Sequence, residues 1–134
     1  MIKTNDNHID GEIACLKPGV FLASPSFKQH EHQLPEKFRK WKFLYPDDLT
    51  HEIDVTGMTD IDIRLASSRG MDINVLSVDE STVLVNKRAI GVIDILERNG
   101  FNVIQVELDY GEIFAGGIHC STLDLERDDE FIEY

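Results

Sequence analysis

Basic residues are scarce in this chain. Its 134 residues include 13 Lys and Arg against 25 Asp and Glu, a net charge of −12. A surface that acidic repels phosphate backbones, which argues against nucleic acid as a partner. Cysteine is scarcer still. Cys15 and Cys120 are too few for a disulfide framework, so a reducing cytoplasm is the expected compartment. Residues 1–7 carry no apolar stretch of the kind a secretory signal needs. No apolar run approaches the roughly 20 residues that cross a bilayer, so no membrane partner is expected. The glycine-rich phosphate loops of nucleotide enzymes are missing, as is a serine elbow. Metal ligands are thin as well. His30-Glu31-His32 places two histidines on one face of an extended segment without a third ligand, which reads as a solvated loop. No metal and no organic cofactor are expected.

What is present supports one domain of α/β class, with 42% hydrophobic residues to build its core. One pattern is used twice. In the second half, Ile73 to Val78 reads as a strand, Asp79-Glu80-Ser81 as a turn and Thr82 to Val85 as its hairpin partner. Ala89, Ile90, Val92, Ile93 and Leu96 recur at helical spacing, predicting a helix over 87–99 that stops at Gly100. Residues 101–108 give a third strand. The first half repeats the order: a strand over 12–16, the turn Lys17-Pro18-Gly19, a strand over 20–23 and a polar loop over 24–33. A short helix over 36–41 after Pro35 and a strand over 42–45 complete it. The halves therefore divide into a module over about 8–60 and another over about 61–134. Ile61 and Ile63 suggest a short linking strand, residues 116–125 a further one, and the acidic 124–134 a closing tail.

The residues with chemistry lie at the two ends. Gly116-Gly117-Ile118-His119-Cys120 puts a thiol after glycines that let backbone and substrate approach closely. His8-Ile9-Asp10 supplies a proton carrier and a carboxylate. Thiol, imidazole and carboxylate are the components of nucleophilic catalysis by cysteine. Cys15, alternating with apolar neighbours, is expected in the core.

Asn7-His8-Ile9-Asp10-Gly11, Ser67-Ser68, Met71 through Asn74-Val75-Leu76, and Gly116-Gly117-Ile118-His119-Cys120 occur in an order that resembles the glycine and inosamine-phosphate amidinotransferases. These are guanidine-modifying enzymes of the pentein superfamily. The resemblance covers nearly the whole chain but only the C-terminal portion of such an enzyme. It implies a partial pentein-type α/β propeller, about two strand-strand-helix-strand modules of a five-module ring. It implies that Cys120 attacks the guanidinium carbon of arginine or a relative, that His8 moves protons and that Asp10 grips guanidinium nitrogens. It implies a substrate-binding set of Ser67, Ser68, Asn74, Gly117 and His119. This chain departs from the family in three places. The upstream module with a further catalytic carboxylate is missing, Ser26-Phe27-Lys28 stands where a substrate-clamping arginine is usual, and Ala115 replaces the first of three glycines. A homo-oligomer or a separately encoded N-terminal half is the expected partner. A guanidine hydrolase or deiminase of the same superfamily, and a non-catalytic relative with a binding or assembly role, are the alternative expectations.

Overall fold

The computed structural model describes residues 8–49, 69–108 and 116–126. Their backbone forms two three-stranded mixed sheets, each with its strands in sequence order. In the first, β1 (Ile13–Lys17) pairs antiparallel with β2 (Val20–Ala23), which pairs parallel with β3 (Lys42–Leu44). In the second, β4 (Leu76–Ser77) pairs antiparallel with β5 (Thr82–Asn86), which pairs parallel with β6 (Asn102–Val106). A parallel pair needs a crossover, and a helix supplies it each time: α1 (Glu36–Arg39) and α2 (Ile90–Arg98). Strand, strand, helix, strand therefore occurs twice.

Local chemistry explains the corners. Gly19 turns the first hairpin at φ +84°, a conformation that costs a side-chain-bearing residue energy. The second hairpin uses Asp79, whose Oδ1 accepts from the amides of Ser81 (2.7 Å) and Thr82 (2.8 Å) and from the Ser81 hydroxyl (2.8 Å). Those bonds hold the Asp79 carboxyl below its ordinary pKa. Helix α2 ends in a Schellman motif. Gly100, at φ +82°, donates to Glu97 O (3.0 Å), and Phe101 donates to Leu96 O (3.1 Å). Leu96 and Phe101 then enter the core together.

One hydrophobic cluster joins both sheets, with Leu16, Leu22 and Leu44 from the first against Val83, Val85, Val92 and Leu96 from the second. A smaller one gathers Ala23, Phe27 and Leu34 against Phe38, Phe43 and Tyr45. Strand β2 lies between them, which is why Phe21, Leu22 and Ala23 are all buried rather than alternating. Phe21 stacks on Trp41 at 4.7 Å between ring centroids.

Several expectations are corrected. Residues 24–33 are no loop: Pro25–Gln33 is a 3-10 helix in which Phe27 reaches the core and Glu31 accepts a hydrogen bond from Tyr45. Burial of Tyr45, that bond and the Glu31 charge all push its phenol well above the ordinary value. Within the same helix His30 Nδ1 lies 2.9 Å from Gln33 Nε2. Ile73 does not open a strand, because Arg69–Asp72 is a 3-10 turn and pairing begins only at Leu76. Residues 116–125 are not a strand either; they wrap a 3-10 turn, His119–Ser121. Cys15 is exposed rather than core, since β1 directs Ala14 and Leu16 to the main cluster and leaves the intervening side chain outside. The expected strand at Ile61 and Ile63 and most of the closing tail lie outside the described residues. Among the described residues, no helix is long and apolar enough to cross a membrane.

Candidate functional site

Two short turns from opposite ends of the chain meet at one asparagine. The first, Ile9–Gly11, precedes β1 and is closed by Glu12 N donating to Ile9 O (3.0 Å). It packs against the turn Arg69–Asp72, beside which Asn74 is buried at 4% exposure. The second, His119–Ser121, is docked on Asn74 through its backbone. Ile118 N and His119 N both donate to Asn74 O, at 3.2 and 3.4 Å. Cys120 N donates to Asn74 Oδ1 at 3.1 Å. Three successive amides thus converge on a single residue. Ser121 Oγ (2.8 Å to Gly117 O) and Thr122 Oγ1 (2.9 Å to His119 O) close the turn from behind.

The other end of the Asn74 amide faces the chemistry. Nδ2 donates to Asp10 Oδ2 at 2.9 Å and to Cys120 Sγ at 3.2 Å. The Cys120 thiol itself donates to Asp10 Oδ2 at 3.2 Å. His119 Nδ1 lies 3.4 Å from the same oxygen. Only one amide orientation fits: turned over, oxygen would face carboxylate and NH₂ would face an amide N–H. Burial raises the Asp10 pKa, but hydrogen bonds from Cys120, Asn74 and His119 outweigh it and hold the carboxyl below its ordinary value. Asp10 is therefore ionised near neutral pH, with its side chain 25% exposed and that of His119 56% exposed.

Gly117 makes this packing possible. A Cβ there would lie 2.3 Å from Asn74 Oδ1, 2.5 Å from its Cβ and 2.6 Å from its Cγ. The glycine serves the asparagine's fit rather than a backbone angle. On the far side of Asp10 and His119 opens a cavity of about 300 Å³, walled by Ile13, Ala14, Cys15 and Val75. Below Asp10, Glu12 is buried at 4% exposure, and its Oε2 accepts from the hydroxyls of Ser24 and Ser26 (2.9 Å for the latter).

Of the residues singled out in the sequence, Asp10, Asn74, Gly117, His119 and Cys120 come together. His8 is exposed, and none of the cluster's hydrogen bonds reaches its ring; it adjoins the cluster as the residue that leads into the Asp10 turn. Ser67 and Ser68 lie outside the described residues. At the unusual Ser26-Phe27-Lys28, Ser26 binds Glu12, Phe27 is core and Lys28 Nζ sits 5.8 Å from the Tyr45 ring centroid. Reasoning from individual residues missed the clasping role of Asn74 and the buried Glu12. The signal for Asn74 was a polar residue inside the apolar run Ile73-Asn74-Val75-Leu76. Such a residue is buried only where its hydrogen bonds are met.

No family model matches the chain. Inosamine-phosphate amidinotransferase 1 of Streptomyces griseus is 31% identical over 120 residues, which is 90% of this chain and 33% of that protein. Its solved structure superposes with a TM-score of 0.76 at 28% identity, covering 93% of this chain and 34% of that one. Mitochondrial glycine amidinotransferase of Gallus gallus is 28% identical over 123 residues, 92% of this chain and 27% of that protein. The structure of an amidinotransferase from Microseira wollei, in the saxitoxin biosynthetic pathway, matches with a TM-score of 0.75 at 26% identity. It covers 96% of this chain and 34% of that one. The chain thus spans about a third of the length of the curated relatives it matches. In sequence and in fold, this chain is related to the amidinotransferase family over nearly all of its own length and about a third of theirs.

Proposed function

We propose that this chain carries the nucleophile of an amidinotransferase, moving an amidino group from arginine or a similar guanidine to an amine through a covalent adduct on Cys120. The observation that carries this reading is the ionised Asp10 carboxylate fixed 3.2 Å from the Cys120 sulfur. A planar guanidinium paired with that carboxylate has its carbon beside the sulfur, and its positive charge offsets the negative charge that forms there.

In the first step, the Cys120 thiolate forms a C–S bond to the guanidinium carbon. The C–N bond to the donor chain breaks, and the donor amine leaves with a proton from His8, which leads into the turn bearing Asp10. The amidino group stays on sulfur. In the second step, an acceptor amine attacks the same carbon, gives a proton to His8 and displaces Cys120 as thiolate. His119, against Asp10, steadies the carboxylate, and Gly117 leaves room for Asn74 to pack beside Cys120. Ser67 and Ser68 take their place in the substrate pocket by resemblance alone.

In the same reading, the two sheets are two modules, over about 8–60 and 61–134, of a pentein-type propeller. Further modules of the same kind complete the ring and the site. A reactive thiol of this kind suits a reducing cytoplasm.

The test is incubation of the protein, alone and with any co-purifying partner, with arginine and separately with a haloacetamidine, followed by peptide mass spectrometry. An amidino mass on Cys120, absent from Cys120→Ala and Asp10→Asn and released by added amine, is the expected result. Labelling of Cys15 in preference to Cys120, or of neither, overturns the reading.

A further inference from the structure

The Asn74 side chain is fully committed to protein atoms. Its oxygen takes the Cys120 amide, and its two N–H bonds go to Asp10 Oδ2 (2.9 Å) and Cys120 Sγ (3.2 Å). No donor remains for a substrate. We infer that Asn74 is a catalytic residue of a different kind: it supplies the hydrogen bond that holds Cys120 as a thiolate, and it does not bind substrate. The inference rests on Cys120 being the nucleophile.

The argument follows the proton. While sulfur is protonated, it donates to Asp10 Oδ2 and accepts from Asn74 Nδ2. When the proton leaves to solvent, the bond to Asp10 is lost, and sulfur and carboxylate become like charges about 3.2 Å apart. The charged groups facing Cys120 are then Asp10 and, behind it, His119 (3.4 Å from Asp10 Oδ2). Neither His119 nor any other described residue donates to the sulfur, so Asn74 Nδ2 is the one donor among the described residues that a thiolate finds in place. A hydrogen bond to a charged acceptor is worth about twice a neutral one, so the Asn74 contact strengthens as the nucleophile forms. The same N–H₂ group bridges sulfur and Asp10, which keeps the sulfur beside the carboxylate that a guanidinium would pair with. Backbone bonds from Ile118 and His119 to Asn74 O keep the donor from swinging away.

The experiment is the pH dependence of Cys120 alkylation by iodoacetamide, read by mass spectrometry with Cys15 as internal reference. Asn74→Asp keeps the size and the acceptor for Cys120 N but removes the donor; Asn74→Leu keeps the size and removes both. Both are expected to slow Cys120 alkylation at neutral pH about 10- to 100-fold and to move its profile to higher pH, leaving Cys15 unchanged. A Cys120 profile identical to wild type in a folded variant overturns the inference, as does a raised KM for arginine with kcat unaltered. Should both variants fail to fold, the native protein still decides. With ¹⁵N-labelled asparagine, the Asn74 side-chain amide resonance must titrate in step with Cys120 alkylation, and its indifference to that step overturns the inference. A shifted alkylation profile without an arginine adduct supports Asn74 as thiolate donor while defeating the amidino-transfer reading.

Discussion

Replacing Gly117 with alanine adds a single methyl group, and the structure says what it meets. The new carbon would sit 2.3, 2.5 and 2.6 Å from three Asn74 side-chain atoms, each well inside van der Waals contact. Asn74 cannot retreat cheaply, because its own carbonyl is held by Ile118 and His119. If the clash is absorbed as overpacking, the cost is about 1–3 kcal/mol. If Asn74 instead turns away, it loses a long contact to Asp10 O (3.5 Å) and three closer side-chain hydrogen bonds, the three at about 1 kcal/mol each. Both routes lead to a loss near 3 kcal/mol at most, or roughly 3–15 °C in Tm for a chain of this length. Both also pull Asn74 from the sulfur. Gly117→Ala is therefore expected to lower Tm and to slow Cys120 alkylation together. Gly19→Ala is the control: at φ +84° with open space around the Cβ, it costs about 1 kcal/mol of backbone strain and leaves Cys120 reactivity alone. A third variant isolates the cause. Asn74→Gly deletes all three clashing atoms, so adding Gly117→Ala to it should cost almost nothing further, a strongly non-additive pair. Thermal melts and alkylation rates on wild type and these four variants measure this. If Gly117→Ala matches wild type in both readouts, or its cost persists undiminished in the Asn74→Gly background, the packing argument is refuted.

Acid should loosen the site through Asp10. Its native pKa lies below the ordinary 3.8, so its contribution to stability is complete above that value and is lost as pH falls through the native one. Asp10→Asn is expected to flatten that part of the acid limb in melts followed from neutral pH downward; an unchanged limb would contradict the assignment. Glu12→Ala leaves the Ser24 and Ser26 hydroxyls without their buried acceptor and should cost about 1–3 kcal/mol by denaturant titration, with Glu12→Gln costing less. Gly91→Ala places a Cβ 2.1 Å from the Asp48 carbonyl oxygen, where helix α2 meets the chain after β3. A loss of at least 1 kcal/mol with Cys120 alkylation unaltered is expected, and a neutral effect would mean that contact gives way freely.

Much of the scaffold is written in local sequence. The 3.6-residue recurrence of Ala89, Val92, Ile93 and Leu96 and the glycine that follows specify α2 and its Schellman end, because helix and cap depend on neighbours within a few positions. Lys17-Pro18-Gly19 and Asp79-Glu80-Ser81 specify hairpins for the same reason. The nearness of Asp10 to the segment ending in Cys120 was legible through a family resemblance, while the cluster's hydrogen bonds leave out His8. Periodicity failed where tertiary contacts prevailed. The polar stretch 24–33 gave no apolar rhythm, yet it winds into a 3-10 helix because Phe27 is drawn into the smaller core and Glu31 and Ser26 find partners in Tyr45 and Glu12. Cys15 looked internal because its neighbours are apolar; which face of β1 becomes internal depends on where the second sheet packs, and no residue of β1 encodes that. The clasp is the clearest case. Asp10, Asn74 and Cys120 are separated by 64 and 46 positions, and no local rule relates them. Only the packing of two sheets about one core brings them within 3.2 Å, because buried polar groups must find partners and here the partners are one another.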